Sequence, residues 1–359
     1  MITLLIIVGV VAIGGFVFMQ QATFGQLPTG KRLERIQKSP QYKNGSFQNS
    51  SDTPVQTEDF TVWNMIKAYW NKPNGEPPAP IPFVKTNLKT LLYNQPTVVW
   101  FGHSSYLLQI NGLRILADPV FSGSASPVPF TVKSYAGTDE YGVDDFPELD
   151  VVLISHDHFD HLDYETIVKL KDKTKRFVTS LGVGAHLERW GVEPSRITEL
   201  DWYETTPLTT EMSLTATPAR HFSGRSFTRG QSLWSSFVLK TPQHSIFLGG
   251  DSGYDTHFKS IGEQFGPFDL AILEAGQYNA YWKYIHMMPE ETVQASLDLK
   301  AKVLLPVHWG KFTLALHTWN DPIRRVVSEA NKQSVKVTTP MIGEPVLVDS
   351  LYPQQQWWQ

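Results

Sequence analysis

The chain contains no cysteine. That absence removes disulfides as a source of stability and thiolates as metal ligands, so any metal site has to be built from nitrogen and oxygen. The redox compartment stays open. Charge is sparse and balanced: 31 Lys and Arg stand against 35 Asp and Glu, for a formal net charge of −4 and a pI near 6.3. Without a basic excess there is no electrostatic footprint for nucleic acid, and that class of partner is set aside. Long uncharged apolar runs are absent with one exception, Ile2–Met19. The chain is instead rich in aromatics, with 11 Trp, 20 Phe and 13 Tyr, which suit a core, an apolar ligand or a membrane interface equally. Its 359 residues, 41% of them hydrophobic, are enough for one large core or two.

As a helix, Ile2–Met19 would be about 27 Å long, close to the hydrocarbon thickness of a bilayer. No Lys or Arg precedes it and Met19-Gln-Gln-Ala22 is a poor cleavage site, so residues 1–20 are expected to be an uncleaved membrane anchor. Lys31, Arg32, Arg35 and Lys38 follow, and by the positive-inside rule they put the body of the protein in the cytoplasm. Residues 21–57 read as a linker, being rich in Ser, Asn, Gln and Pro towards their end. The main domain is expected over 58–359, opening with an aromatic and proline-rich extension at 58–95. There Phe60, Trp63, Ile66 and Trp70 recur at helical spacing, with packing on the main domain as the expected role of that face. Five prolines within 73–82 then hold the chain extended.

Strands begin at Thr97. Residues 106–110 pair with 113–117 through Asn111-Gly112, a two-residue hairpin turn, and the hairpin ends in Asp118. A matching unit, 236–240 with 245–249, ends in Asp251. Two halves with the same strand, strand, acid layout suggest an internal pseudo-duplication within an α/β protein. Asp163 is expected to cap a helix. Helices are also expected at 182–190, 289–299 and 320–330, with His186 in the first of them read as a surface residue. A buried strand at 303–307 delivers His308.

The chemistry concentrates in residues 153–163, Leu-Ile-Ser-His-Asp-His-Phe-Asp-His-Leu-Asp. A short aliphatic strand runs straight into three histidines and an aspartate, the ligand types that divalent zinc accepts. His156 and His158, two apart, face one side of an extended loop, while Asp160 and His161 follow where the chain turns towards a helix. A polar surface loop would carry this density of ligand-type residues only by improbable coincidence.

This stretch resembles the signature of the metallo-β-lactamase superfamily. Flanking phrases resemble, within it, the N-acyl-phosphatidylethanolamine-hydrolysing phospholipase D family: Trp-Phe-Gly-His-Ser (100–104), Ala-Asp-Pro-Val-Phe (117–121), Gly-Gly-Asp-Ser-Gly-Tyr (249–254), Phe-Gly-Pro-Phe-Asp-Leu-Ala (265–271) and Val-His-Trp-Gly (307–310). The resemblance covers roughly residues 83–340 and implies the αβ/βα sandwich. It implies two zinc ions per chain, with manganese(II) or iron(II) as alternatives. One would be held by His156, His158 and His221, the other by Asp160, His161 and His308, with Asp251 between them. A shared hydroxide would then be the nucleophile. Asp160 and Asp251 are thereby implicated in catalysis as well as ligation. So is His286, which falls where that family has a histidine before Pro-Glu-Glu, although Met287 and Met288 replace the family's Val-Asp. His103 and Asp118 are read as orienting the ligands. The function implied is a membrane-anchored phosphodiesterase acting on an N-acyl-phosphatidylethanolamine-like phospholipid. A lactonase opening a phosphorylated cyclic ester and a non-catalytic metal-binding scaffold are the rivals.

Overall fold

The computed structural model describes residues 2–73, 75–91 and 95–359, with the side chains of 2–6, 11 and 12 excepted. The chain opens with α1 (Ile2–Met19), then α2 (Gly30–Ile36), a small hairpin of β1 (Tyr42–Lys43) and β2 (Ser46–Phe47), and α3 (Val62–Trp70). The first half of the body contains β3 (Thr97–Trp100), β4 (Tyr106–Ile110), β5 (Leu113–Ala117), β6 (Leu149–Ile154), α4 (Tyr164–Leu170), β7 (Thr174–Ser180), α5 (Gly184–Arg189) and β8 (Ile197–Leu200). The second contains β9 (Thr205–Pro207), β10 (Ser213–Thr217), β11 (Ser236–Lys240), β12 (Ser245–Leu248), α6 (His257–Gln264), β13 (Leu270–Glu274), α7 (Pro289–Asp298) and β14 (Leu304–Val307). The chain ends with α8 (Asp321–Gln333) and β15 (Pro345–Leu347).

Among the described residues the body strands form two mixed sheets. One has seven strands in the order β15-β3-β4-β5-β6-β7-β8, the other six in the order β14-β13-β12-β11-β10-β9. Burial follows the period of two that a strand imposes. Phe237, Leu239, Ile246, Leu248, Leu270, Ile272, Leu305 and Val307 face a core shared with Val98, Leu107, Ile115 and Val151 of the other sheet. Their neighbours Val238, Phe247, Ala271, Leu273 and Leu304 face outward, against Phe258 and Ile261 of α6, Val293 of α7 and Val326 of α8. This is the expected sandwich, with helices covering an outer face. The repeat is visible too: in each half a hairpin (β4–β5, β11–β12) is followed by a parallel neighbour (β6, β13), and an aspartate, Asp118 or Asp251, stands beyond the hairpin's second strand. The β4–β5 turn has Asn111 and Gly112 both at positive φ (47° and 79°), the backbone that fits strand twist and that this dipeptide tolerates.

Several expectations need correction. The helix expected at Ile2–Met19 is present with those bounds. Among the described residues no helix is long and apolar enough to cross a membrane. Two of the basic residues after it are engaged with the body. Arg32 pairs with Glu188 at 2.6 Å and Glu199 at 2.7 Å, and Arg35 pairs with Glu204 at 2.5 Å, so they seat α2 on the body. Residues 21–57 are not a loose tether: Ile36 and Phe47 are buried with Leu181, Trp202 and Trp234, a cluster that local composition does not reveal. Finally, α3 is capped by Thr61, whose hydroxyl accepts from the Asn64 amide, yet it buries none of its residues. Trp63, Tyr69 and Trp70 are exposed.

Candidate metal centre

Four strand-end loops bring the predicted ligands together. Ligand atoms of His156, His158 and His221 lie within 4.8 Å of one another, and so do those of Asp160, His161 and His308, together with His103. Asp251 stands between the two groups. Its Oδ2 faces His156 Nε2 (3.9 Å) and His221 Nε2 (3.8 Å), while Oδ1 faces His161 Nε2 and His308 Nδ1, each at 3.2 Å. Five buried polar atoms of this region, His103 Nδ1, His156 Nε2, His161 Nε2, His308 Nε2 and Asp251 Oδ1, have no hydrogen-bond partner. Buried polar atoms are nearly always paired, so a converging group of unpaired ones fits cations as the missing partners. The donor set, all imidazole and carboxylate, suits zinc and similar divalent ions.

The outer partners fix which imidazole nitrogen faces inward. His161 Nδ1 is 2.8 Å from Asp118 Oδ2, whose carboxylate also accepts from the Ser155 amide (2.8 Å) and hydroxyl (2.6 Å). His221 Nδ1 donates to the Ile285 carbonyl at 2.8 Å. Each contact keeps the proton on Nδ1 and leaves Nε2 free. His103 Nε2 meets Asp160 Oδ2 at 3.0 Å, so His103 and Asp118 each contact one of the predicted ligands. His103, Asp118 and His308 all adopt left-handed backbone (φ 52°, 39° and 68°), and such local strain concentrates at functional sites.

Electrostatics agree with cation binding. Burial is the largest influence on every group here. It holds His156, His221 and His308 well below the ordinary histidine value, neutral and able to ligate. At His161 burial is outweighed by the carboxylates of Asp251, Asp160 and Asp118, which raise it well above that value, so its Nε2 becomes a ligand only when a cation displaces the proton there. Asp160 and Asp251 are lowered well below the carboxylate range: burial opposes this, but His161 and other imidazoles prevail. The centre thus carries negative charge that seeks a positive partner.

A cavity of about 490 Å³ opens onto these residues. His158, Asp160, His221, Asp251, His286 and His308 lie on its polar side, and Val55, Phe60, Met65, Phe222, Trp282, Ile285 and Leu314 make its apolar walls. His286 therefore reaches the site. Its Nδ1 lies 2.9 Å from Oε2 of Glu274, a residue that sequence reasoning missed. Glu274 is buried at the end of β13 and also accepts from the Met287 amide at 2.8 Å. Burial pushes its carboxyl up to about 7, against the pull of His286. An acid closing the aliphatic run Leu-Ala-Ile-Leu was the available signal, because β13 occupies in its half the place that β6 occupies in the other. Asn49 was also missed, since it lies in the presumed linker. Its side chain both accepts from and donates to the His221 backbone (3.1 and 2.7 Å). His186 is a correction: only 3% exposed, it lies behind the centre against Asp157.

An α/β sandwich with paired imidazole and carboxylate clusters at its strand ends defines a class of protein, and residues 113–309 match the β-lactamase superfamily domain. The chain belongs to that superfamily. It is 39% identical over 332 residues to a Mycobacterium tuberculosis protein, an alignment covering 90% of this chain and 88% of that one. It is also 32% identical over 233 residues to N-acyl-phosphatidylethanolamine-hydrolyzing phospholipase D 1 of Caenorhabditis elegans, covering 60% of this chain and 64% of that enzyme. Among solved structures it is similar to a metallo hydrolase of the archaeon Ignicoccus hospitalis, with a TM-score of 0.56 and 19% identity over 70% of this chain and 98% of that one. That last likeness speaks to the fold alone.

Proposed function

We propose that the chain is a metal-dependent hydrolase, a phosphodiesterase of the phospholipase D type acting on an amphipathic, N-acyl-phosphatidylethanolamine-like phospholipid. One observation carries this reading: a carboxylate shared between two imidazole clusters forms the floor of a cavity whose walls are apolar. Under it His156, His158 and His221 hold one cation, Asp160, His161 and His308 the other, and Asp251 touches both. Two divalent ions, zinc by preference, would supply Lewis acidity on a phosphoryl oxygen and a nucleophile drawn from water at neutral pH.

The chain's own residues do the rest. Asp118 and the Ile285 carbonyl keep His161 and His221 in the ligating tautomer. Glu274 orients His286, which faces the cavity and is raised above the ordinary histidine value: burial lowers it, but Glu274 outweighs that. His286 can then hold a proton for the departing alkoxide. Phe60, Met65, Phe222 and Trp282 accept acyl methylenes, each worth about 0.8 kcal/mol on burial. The exposed apolar side chains of α1 (Ile7, Val8, Val10, Ile13, Phe16, Val17) and of α3 (Val62, Trp63, Trp70) would hold the cavity against a lipid surface.

The test is a panel of phospholipids and phosphorylated lactones offered to metal-reconstituted protein, with products identified by mass spectrometry. Release of the headgroup alcohol and a phosphatidic acid supports the reading. Lactone opening without diester cleavage would replace it with the lactonase, and no turnover of either with the scaffold.

A further inference from the structure

Behind the metal-binding loop lies a second constellation that touches no ligand position of the centre. Residues 20–26, which join α1 to the body, cross over α5 and the loop after β6, and buried side chains grip their backbone. Trp190 Nε1 donates to the Ala22 carbonyl at 2.7 Å. Arg225, itself 4% exposed, gives two N–H groups to the Thr23 carbonyl at 3.0 and 2.7 Å, and its remaining amino group donates to the carbonyls of Asp157 and Leu162, both at 2.7 Å. The Gln26 amide donates to His186 Nδ1 at 3.0 Å, which puts the ring proton on Nε2, 3.3 Å from Asp157 Oδ2. Asp157 also accepts from the Gly224 amide (2.7 Å) and the Ser232 hydroxyl (2.8 Å).

An aromatic series runs parallel to this network. Phe18 meets Phe24 edge-on at 5.1 Å, Phe24 meets Phe159 at 5.9 Å, and the Arg225 guanidinium sits 4.1 Å from the Phe159 ring centre. The approach is tight: at Gly25, with φ at +68°, an added Cβ would stand 1.9 Å from His186 Nδ1. Asp157 and Phe159 are the two residues that alternate with His156, His158 and Asp160. In an extended loop alternate side chains face opposite ways, so the face opposite the ligands is the face that residues 20–26 hold.

We propose that residues 20–26 form a strap that fixes the metal-binding loop from behind, with Asp157, His186 and Arg225 as positioning residues for the reaction. The seat of α1 is thereby coupled mechanically to the geometry of the metal ligands. This rests on reading residues 156–161 as metal-binding. The loop has no regular secondary structure of its own, so its shape comes from what packs on both sides of it. Residues that orient ligands typically change metal affinity by about ten- to a hundredfold when removed.

The experiment compares full-length wild type with Arg225→Met, Arg225→Lys and Gly25→Ala. Metal affinity is measured by chelator competition with zinc, ligand geometry by the visible absorption of the cobalt(II) form, and turnover on a soluble phosphodiester. For Arg225→Met and Gly25→Ala we expect about ten- to a hundredfold weaker metal binding. We also expect an altered cobalt spectrum and a lower kcat at unchanged KM, in proteins that stay folded without metal but have a lowered thermal midpoint, since Arg225→Met unpairs three carbonyls and Gly25→Ala crowds His186. Arg225→Lys, which retains the charge on a single donor nitrogen, restores part of the loss. Gly25→Ala changes only the strap and its contact with His186, and carries the test if Arg225→Met does not fold. Folded Arg225→Met and Gly25→Ala with wild-type affinity, spectrum and kcat would overturn the strap. So would a lowered thermal midpoint with no change in the cobalt spectrum. A failure of the metal reading is seen separately and earlier, as wild type binding less than one metal per chain, and it would remove the strap's role with it.

Discussion

At Asp251 the two carboxylate oxygens part, Oδ1 towards His161 and His308 and Oδ2 towards His156 and His221, so replacing one oxygen by an amide nitrogen leaves one cluster without its share of charge. Asp251→Asn should lower kcat by about three orders of magnitude, equivalent to ~4 kcal/mol, while circular dichroism stays native. Near-wild-type turnover at saturating metal would show that Asp251 is not shared. Glu274→Gln should leave metal content unchanged but cost about a hundredfold in kcat, because the carboxylate that orients His286 is gone; elemental analysis alongside steady-state kinetics checks both halves. At this scale the sequence was most legible where chemistry is local. His156, His158, Asp160 and His161 fall within one short stretch, and their residue types announce a metal. His221, Asp251 and His308 needed the resemblance to be singled out, since a lone histidine or Gly-Gly-Asp says little. Asn49 and Arg225 were invisible because their meaning lies in partners 172 and up to 202 positions away, and Glu274, whose partner is 12 positions on, had only the acid at a strand end to mark it.

Among the elements, strands and their turns were read closely, because a buried strand between turn residues has few alternatives. The Asn111-Gly112 hairpin and the Asp163 cap of α4 appear where they were expected. The reading failed where tertiary contact overrides composition. Polar residues 39–57 are ordered by the surface they lie on, and α3 carries aromatics that look like core and remain exposed. The exposed face of α3 makes a prediction: replacing Trp63 and Trp70 together by Ser should raise KM for a micellar diester about tenfold, some 1.4 kcal/mol, and leave a soluble diester unaffected. Equal effects on both substrates would place α3 in the chemistry instead.

A second prediction belongs to α6. His257, at its start, touches Ser252 Oγ at 3.2 Å and is held down to about 4, by burial above all, against the pull of Asp255. In the unfolded chain its value lies near 6.5. Between these two values the unfolded state takes up a proton that the folded state refuses. Stability present above pH 6.5 is therefore lost as pH falls towards 4, by about 3 kcal/mol in full. Urea unfolding across that window should have a shallower pH slope in His257→Gln; an unchanged slope would show that other groups carry it.

The whole molecule is a sandwich whose two halves repeat, whose strand ends converge on paired imidazole and carboxylate clusters, and whose N-terminal residues pack behind them. The repeat was legible because both hairpins end in aspartate. The closure was not, because composition alone separates an ordered strap from a tether only when the surface beneath it is known. Removing metal with a chelator should abolish hydrolysis and lower the thermal midpoint, and adding zinc should restore both, with close to two ions per chain by elemental analysis.

The central claim, a lipid phosphodiesterase rather than an opener of small polar lactones, is tested most directly by one series of rates. Phosphodiesters of graded acyl length are offered in mixed micelles at fixed surface concentration, beside phosphorylated sugar lactones, to the zinc-reconstituted protein. The account predicts that diester cleavage exceeds lactone opening and that KM falls with each added methylene until the cavity of about 490 Å³ is filled. Faster lactone opening, or a KM indifferent to chain length, would contradict it.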